Sequence, residues 1–163
     1  MQFIEYLSLF LDKISRFLLA LFMSVLVSVV LFGVFNRFIF QFSYSWMDEA
    51  ARYLMIWSCM LGSAIALRAG AHIGLAIIIS QLGSSKFWLM LINNILVMVF
   101  LSAVAFFGMK LSISQMSRLS PTLQISMFWV LSSVPIGSFI MIIHSLSIVR
   151  KLFHKRKKSK DYL

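Results

Sequence analysis

Charged side chains at the entrance of an apolar helix are the first chemistry this chain offers. From Ser45 to Ile73 it reads S-W-M-D-E-A-A-R-Y-L-M-I-W-S-C-M-L-G-S-A-I-A-L-R-A-G-A-H-I, with Asp48, Glu49 and Arg52 in the opening turns of a segment that is otherwise uncharged as far as Leu67. Asp48 lies four residues and Glu49 three residues before Arg52, so either acid is within reach of the guanidinium on one helix face. Ser45 is a good N-cap residue, and acids in a first turn sit at the positive end of the helix dipole. Such groups are costly at membrane depth and need partners, which points to assembly or transport rather than to catalysis. Trp46 and Tyr53 have the placement of interfacial belt aromatics.

Farther along the same segment, Ser58, Gly62, Ala66 and Gly70 recur every fourth residue. This small-residue ridge lets another helix approach closely, whether from this chain or from a partner. Asn93 and Asn94 are carboxamides in a later apolar run, where at least one has to face protein or interfacial water. His72 and His144 leave open a different class, a membrane anchor with two axial histidines on a haem. No nucleophile and base pair, phosphate loop or dense carboxylate group is present, and the chain has only five acids. Cys59 is its single cysteine, so no intrachain disulfide or cysteine metal cluster is available.

The elements that carry these residues follow from composition. The chain has 163 residues, 61% hydrophobic and 12% charged, with a mean hydropathy of +0.94. That leaves too little polar surface to cover a soluble domain. Runs long enough to cross a hydrocarbon core of about 30 Å predict spans at about 17–36, 46–68, 87–109 and 127–149. The fold expected is an all-α integral membrane protein, one membrane domain of four transmembrane helices plus one or two interfacial amphipathic helices. The first interfacial helix is expected at about 2–15, where Phe3, Ile4, Leu7, Phe10, Leu11 and Ile14 form a stripe. A second horizontal or re-entrant segment is expected at about 71–82, too short to span. Pro121 marks a break before the last span, and Pro135 predicts a kink within it.

The net charge of +10 is not a nucleic-acid signature, because Arg150, Lys151, Lys155, Arg156, Lys157, Lys158 and Lys160 crowd the basic tail at 150–163. They read as a topology signal and a contact for anionic phospholipid headgroups. With four spans, eleven of the 15 basic residues fall on one side, which predicts that both termini are cytoplasmic in a bacterial inner membrane. Arg37, Lys110 and Arg118 then lie on the opposite side as candidate docking residues for an acidic surface. Glu5 and Asp12 interrupt the N-terminal region, and the first span is expected to act as an uncleaved anchor.

Trp46, Glu49, Arg52, Trp57, Gly62, Arg68 and the pair His72-Ile73, on the second of four spans, resemble the small membrane subunit of tripartite ATP-independent periplasmic (TRAP) transporters. Many members of that family carry an acid just after the His-Ile pair, where this chain reads Gly74-Leu75. The resemblance implies a large elevator-type membrane subunit that holds the sodium and substrate sites, so that this chain itself carries no cofactor. It also implies a periplasmic binding protein delivering a carboxylate solute, such as a C4-dicarboxylate or a sialic acid. The chain would be a scaffold, its second-span residues Trp46, Asp48, Glu49, Arg52, Trp57, Ser58, Gly62 and Ala66, with His72, serving as subunit interface or structural motif.

Overall fold

A computed structural model describes residues 3–41, 44–69 and 86–160, which are helical but for short connections. The segment expected at about 71–82, with His72, Ile73 and Gly70, lies outside the described residues. Helix α1 runs Phe3–Ile39, α2 Ser45–Arg68, α3 Lys86–Ser114, α4 Met127–Leu131 and α5 Ser133–Lys160. Among the described residues four helical stretches are long and apolar enough to cross a membrane, the last being α4 and α5 together. The chain is a multi-pass helical membrane protein.

Three boundaries differ from the sequence reading, each for a physical reason. Residues 3–15 are not a separate interfacial helix but the first turns of α1, a single helix of 37 residues. At 1.5 Å per residue it is about 55 Å long, well beyond a hydrocarbon core of about 30 Å. The amphipathic stripe is present but turned around. Its polar side, with Ser8 and Ser15, is buried against the protein, while Tyr6, Leu9, Phe10 and Phe17 face outward. In the last span the break falls at Ser132, three residues before Pro135, which occupies the first turn of α5, where a missing N–H costs no helical bond. The Ile136 amide bonds back to the Ser132 carbonyl and carries the chain across the break. Finally, α5 continues through the basic run to Lys160 rather than ending at 149.

The packing centres on α5, which contacts α1, α2 and α3, while α1 packs chiefly on α2 and α3 chiefly on α5. Helices α1, α2 and α5 therefore pack against one another as a group of three, with α3 added on α5. A small apolar core sits where three of them meet, built from Ala64, Leu101 and Met141 with Met60, Val97 and Ile140 around it. Much of the remaining interior is hydroxyl-bearing: Ser112, Ser120, Ser133, Ser138 and Ser145 are fully buried. Several of these donate to their own helix, as Ser112 does to the Gly108 carbonyl at 2.7 Å and Ser138 to Val134 at 2.8 Å. The outer faces of α1 and α3 are apolar and exposed, with Phe32, Phe35, Leu96, Phe100 and Phe106 all more than half open. This inversion, with small polar groups inside and large apolar groups outside, is the arrangement lipid favours, because packing and hydrogen bonds hold helices together where the solvent is itself apolar.

Candidate functional site: three polar ties that lock the helices

At the end of the molecule that carries Arg37, Lys110 and Arg118, the central group is Glu49. Helix α2 starts one residue earlier than expected and is capped by Tyr44, which makes no side-chain cap bond, so the capping role anticipated for Ser45 is not filled. Glu49 is buried, 7% exposed, and does not pair with Arg52, which is exposed. Its carboxylate instead accepts the Thr122 amide hydrogen at 2.9 Å, the Leu123 amide hydrogen at 3.1 Å and the Tyr53 hydroxyl in a short bond. Amide and hydroxyl donors to an ionised acceptor make strong, directional bonds, and here the hydroxyl comes from the same helix while the two amides come from a segment more than seventy residues away.

That segment is a compact hairpin between α3 and α4. Ser120 donates its amide to the Ile125 carbonyl at 2.9 Å, Met127 to Arg118 at 2.9 Å, and the Ser126 hydroxyl to the Met116 carbonyl at 2.7 Å. Pro121 fixes one corner, and Gln124 takes a left-handed conformation with φ 54° to close the turn. The two consecutive amides at the tip have no partner within the hairpin, and the Glu49 carboxylate supplies it. Met116, Leu119 and Ile125 remain exposed around that tip.

A second tie lies at the opposite end. Asp12 of α1 receives the Arg68 guanidinium of α2 at 3.0 Å and the Arg16 guanidinium of α1 at 2.9 Å. Arg68 also donates to the Ser8 carbonyl at 2.8 Å, and the Ser8 hydroxyl bonds His144 Nδ1 of α5 at 2.9 Å. His144 is fully buried. The cluster joins α1, α2 and α5, and the sequence reading had not recognised Asp12 or Ser8 as part of it. An exposed pair, Lys151 with Glu5 at 3.4 Å, sits outside it. One residue beyond His144, the Ser145 hydroxyl of α5 donates to the buried Asn94 carboxamide of α3 in a short bond and extends the ties at this end to a fourth helix. This is the helix-to-helix hydrogen bond anticipated for the Asn93-Asn94 pair.

The second-span residues expected at a subunit interface divide. Trp57 meets Phe22 of α1 edge-on with ring centroids 6.2 Å apart, and a side chain at Gly62 would touch Leu19 at 3.9 Å. Both thus face the chain's own first helix. Ser58 is buried, whereas Ala66 is exposed and belongs to an outward stripe on α2 of Asp48, Arg52, Met55, Cys59, Ser63 and Ala66. Trp46 is exposed beside it. The tightest helix contacts involve glycines that the ridge did not include: a side chain at Gly137 of α5 would sit 2.9 Å from Met60, and one at Gly108 of α3 would sit 3.1 Å from Val134. Arg37, Lys110 and Arg118 are all exposed at one end. Of the tail, Arg150 is half-buried and Lys151 exposed, while nothing is described for the side chains of Lys155, Arg156, Lys157 and Lys158. The haem alternative is not favoured: His144 bonds to Ser8, and His72 lies outside the described residues.

Buried polar groups that hold helices to one another, beneath apolar outer faces, define a multi-pass helical membrane protein. Residues 26–155 match the family model of the DctQ component of tripartite ATP-independent periplasmic transporters, and the chain belongs to that family. It is a transporter component, which is not an enzyme class, and membership implies association with a large membrane subunit and a periplasmic binding protein. Among its relatives is the sialic acid TRAP transporter small permease protein SiaQ of Vibrio cholerae, 26% identical over 136 residues that make up 83% of this chain and 77% of that protein. Another is the C4-dicarboxylate TRAP transporter small permease protein DctQ of Rhodobacter capsulatus, 27% identical over 112 residues, 63% of this chain and 47% of that protein. The chain thus spans about half the length of the second relative.

Proposed function

We propose that this chain is the small permease subunit that scaffolds the large elevator-type subunit of a TRAP transporter, for sodium-coupled uptake of a carboxylate solute delivered by a periplasmic binding protein. The solute class is a C4-dicarboxylate or a sugar acid such as sialic acid, after the two relatives. The sodium and substrate sites belong to the large subunit. The observation that carries the reading is that the principal buried polar groups, Glu49, Asp12 with Arg68, and Asn94 with Ser145, are each used to tie helix to helix or helix to loop. A scaffold needs such rigidity, whereas a self-sufficient carrier needs polar groups free to bind and release solute.

On this reading the outward stripe of α2, with Arg52, Met55, Cys59, Ser63 and Ala66, lies against the large subunit, its small residues allowing close helix approach. Arg37, Lys110 and Arg118 face the periplasm, where Lys110 and Arg118 contribute to docking the binding protein, and the basic end of α5 faces the cytoplasm among anionic headgroups. The protein resides in the bacterial inner membrane with both termini inside. The test is purification of the tagged chain from native membranes in mild detergent, with mass spectrometry of what accompanies it. A large multi-span permease at stoichiometric amount is expected, and recovery of the chain alone, or with redox subunits and a haem absorbance band, would overturn the proposal.

A further inference from the structure

The end of α1 and the start of α2 enclose an open groove of about 450 Å³. Its inner wall is apolar, formed by Val30, Gly33 and Val34 with Phe38 above them, and Arg37 and Asp48 stand at its lip. Arg37 is in the last turn of α1 and Asp48 in the first turn of α2, so the two charges share one level of the membrane. Val30 lies two turns deeper, about 10 Å toward the hydrocarbon. The groove therefore runs from headgroup depth to acyl-chain depth. Gly33, with no side chain, keeps its floor low between the two helices.

Arg37 and Asp48 carry opposite charge, are both exposed and line the same groove, yet they form no ion pair with each other or with any other described residue. Opposite charges held apart over an apolar slot suit a molecule that carries the complementary pair of charges above an apolar tail. We propose that this groove binds one glycerophospholipid with a zwitterionic, primary-amine headgroup, its phosphate on Arg37, its ammonium on Asp48 and one acyl chain along Val30, Gly33 and Val34. An anionic headgroup would meet Arg37 but be repelled by Asp48. A trimethylated ammonium would meet both charges but has no N–H to donate to the carboxylate. The site would fasten the α1–α2 end to the bilayer, a role for Arg37 apart from protein docking and independent of which solute is carried.

The test uses the full chain in the assembly in which it is purified from native membranes. After delipidation, native mass spectrometry follows titration with phosphatidylethanolamine, phosphatidylglycerol and phosphatidylcholine. Phosphatidylethanolamine is expected to be retained best, and Arg37→Gln with Asp48→Asn to weaken its retention about tenfold and erase the preference. Arg118→Gln, at the same end but outside the groove, should leave it intact. Equal retention of the three lipids by the unaltered protein, or an unchanged preference in the double variant, would sink the proposal. A photoreactive residue at Val34 gives a readout that does not depend on the charge variants: an adduct of phospholipid mass supports the site, and an adduct to a neighbouring protein overturns it.

Discussion

Glu49 of α2 accepts the backbone amide hydrogen of Thr122 at 2.9 Å, across 73 positions of the chain. An acid expected to pair locally with Arg52 is thus the anchor of the hairpin at residues 115–126. With Tyr53 and Leu123 as further donors, both carboxylate oxygens are engaged, and removing the group would deprive two consecutive, partly buried amides of their acceptor at once.

Glu49→Ala should therefore loosen the hairpin before it unfolds the spans. Limited proteolysis in detergent, with trypsin cutting at Arg118, is expected to be many times faster in the variant than in the parent, with a lower midpoint of thermal unfolding. Glu49→Gln, which keeps one carbonyl acceptor, should fall between them, and Tyr53→Phe should act least because one donor alone is lost. Equal cleavage rates for all four proteins would show that the hairpin holds itself together without the carboxylate.

At the other end the sign of a double substitution discriminates. Asp12 and Arg68 are mostly enclosed, their side chains 14% and 17% exposed. Breaking such a pair from one side leaves an uncompensated charge, at a cost on the order of 3 kcal/mol, whereas removing both partners together spares part of it. Asp12→Ala and Arg68→Ala are each expected to lower the thermal midpoint more than the Asp12→Ala/Arg68→Ala double variant does. Lys151→Ala breaks only an exposed pair with Glu5 and should change stability by no more than about 0.5 kcal/mol. Strict additivity of the two single changes would refute the coupling of α1 to α2 through this pair.

Glycine substitutions should rank by the space each one has. A methyl at Gly137 would lie 2.9 Å from Met60 Cβ, at Gly108 3.1 Å from Val134, and at Gly62 3.9 Å from Leu19. The first distance forces α5 away from α2, and overpacking of that kind costs about 1–3 kcal/mol. The expected order of thermal midpoints is therefore Gly137→Ala lowest, then Gly108→Ala, with Gly62→Ala near the parent. A larger loss at Gly62 than at Gly137 would contradict the described packing.

The spans were legible because long charge-free runs have few other uses, and a bond from the Asn93-Asn94 pair was legible because carboxamides in hydrocarbon have to find a partner, although which of the two makes it was not. Pro135 announced the interruption of the last span, although the break itself settles at Ser132. The ties at the two ends were harder to read. The partners of Glu49 are backbone amides of Thr122 and Leu123, and a main-chain donor has no signature in side-chain identity. The polar stripe Ser8, Asp12, Ser15 reads equally as a water face or as a protein face, and only the position of α5 with His144 decides for the second. Gly137 and Gly108 belong to no four-residue ridge, so their close contacts follow from helix crossing geometry rather than from pattern.

The single cysteine turns the proposed subunit interface into a direct measurement. Cys59 is exposed and sits mid-way along the outward stripe of α2, between Met55 and Ser63. If the large subunit lies on that stripe, Cys59 should react with a membrane-permeant maleimide in the isolated chain and be protected in the assembled complex, at least about tenfold in rate if the helix is closely covered. Ala66→Trp, one stripe position from Ser63, should lower recovery of the large subunit, since a bulky ring there prevents close approach. Gly62→Trp disturbs contact with Leu19 of α1 instead, so its loss of recovery should come with a lowered stability of the isolated chain, whereas Ala66→Trp leaves that stability near the parent. Equal Cys59 labelling in both states, together with full recovery of the complex by Ala66→Trp, would move the interface to another face, the exposed apolar side of α1 or α3.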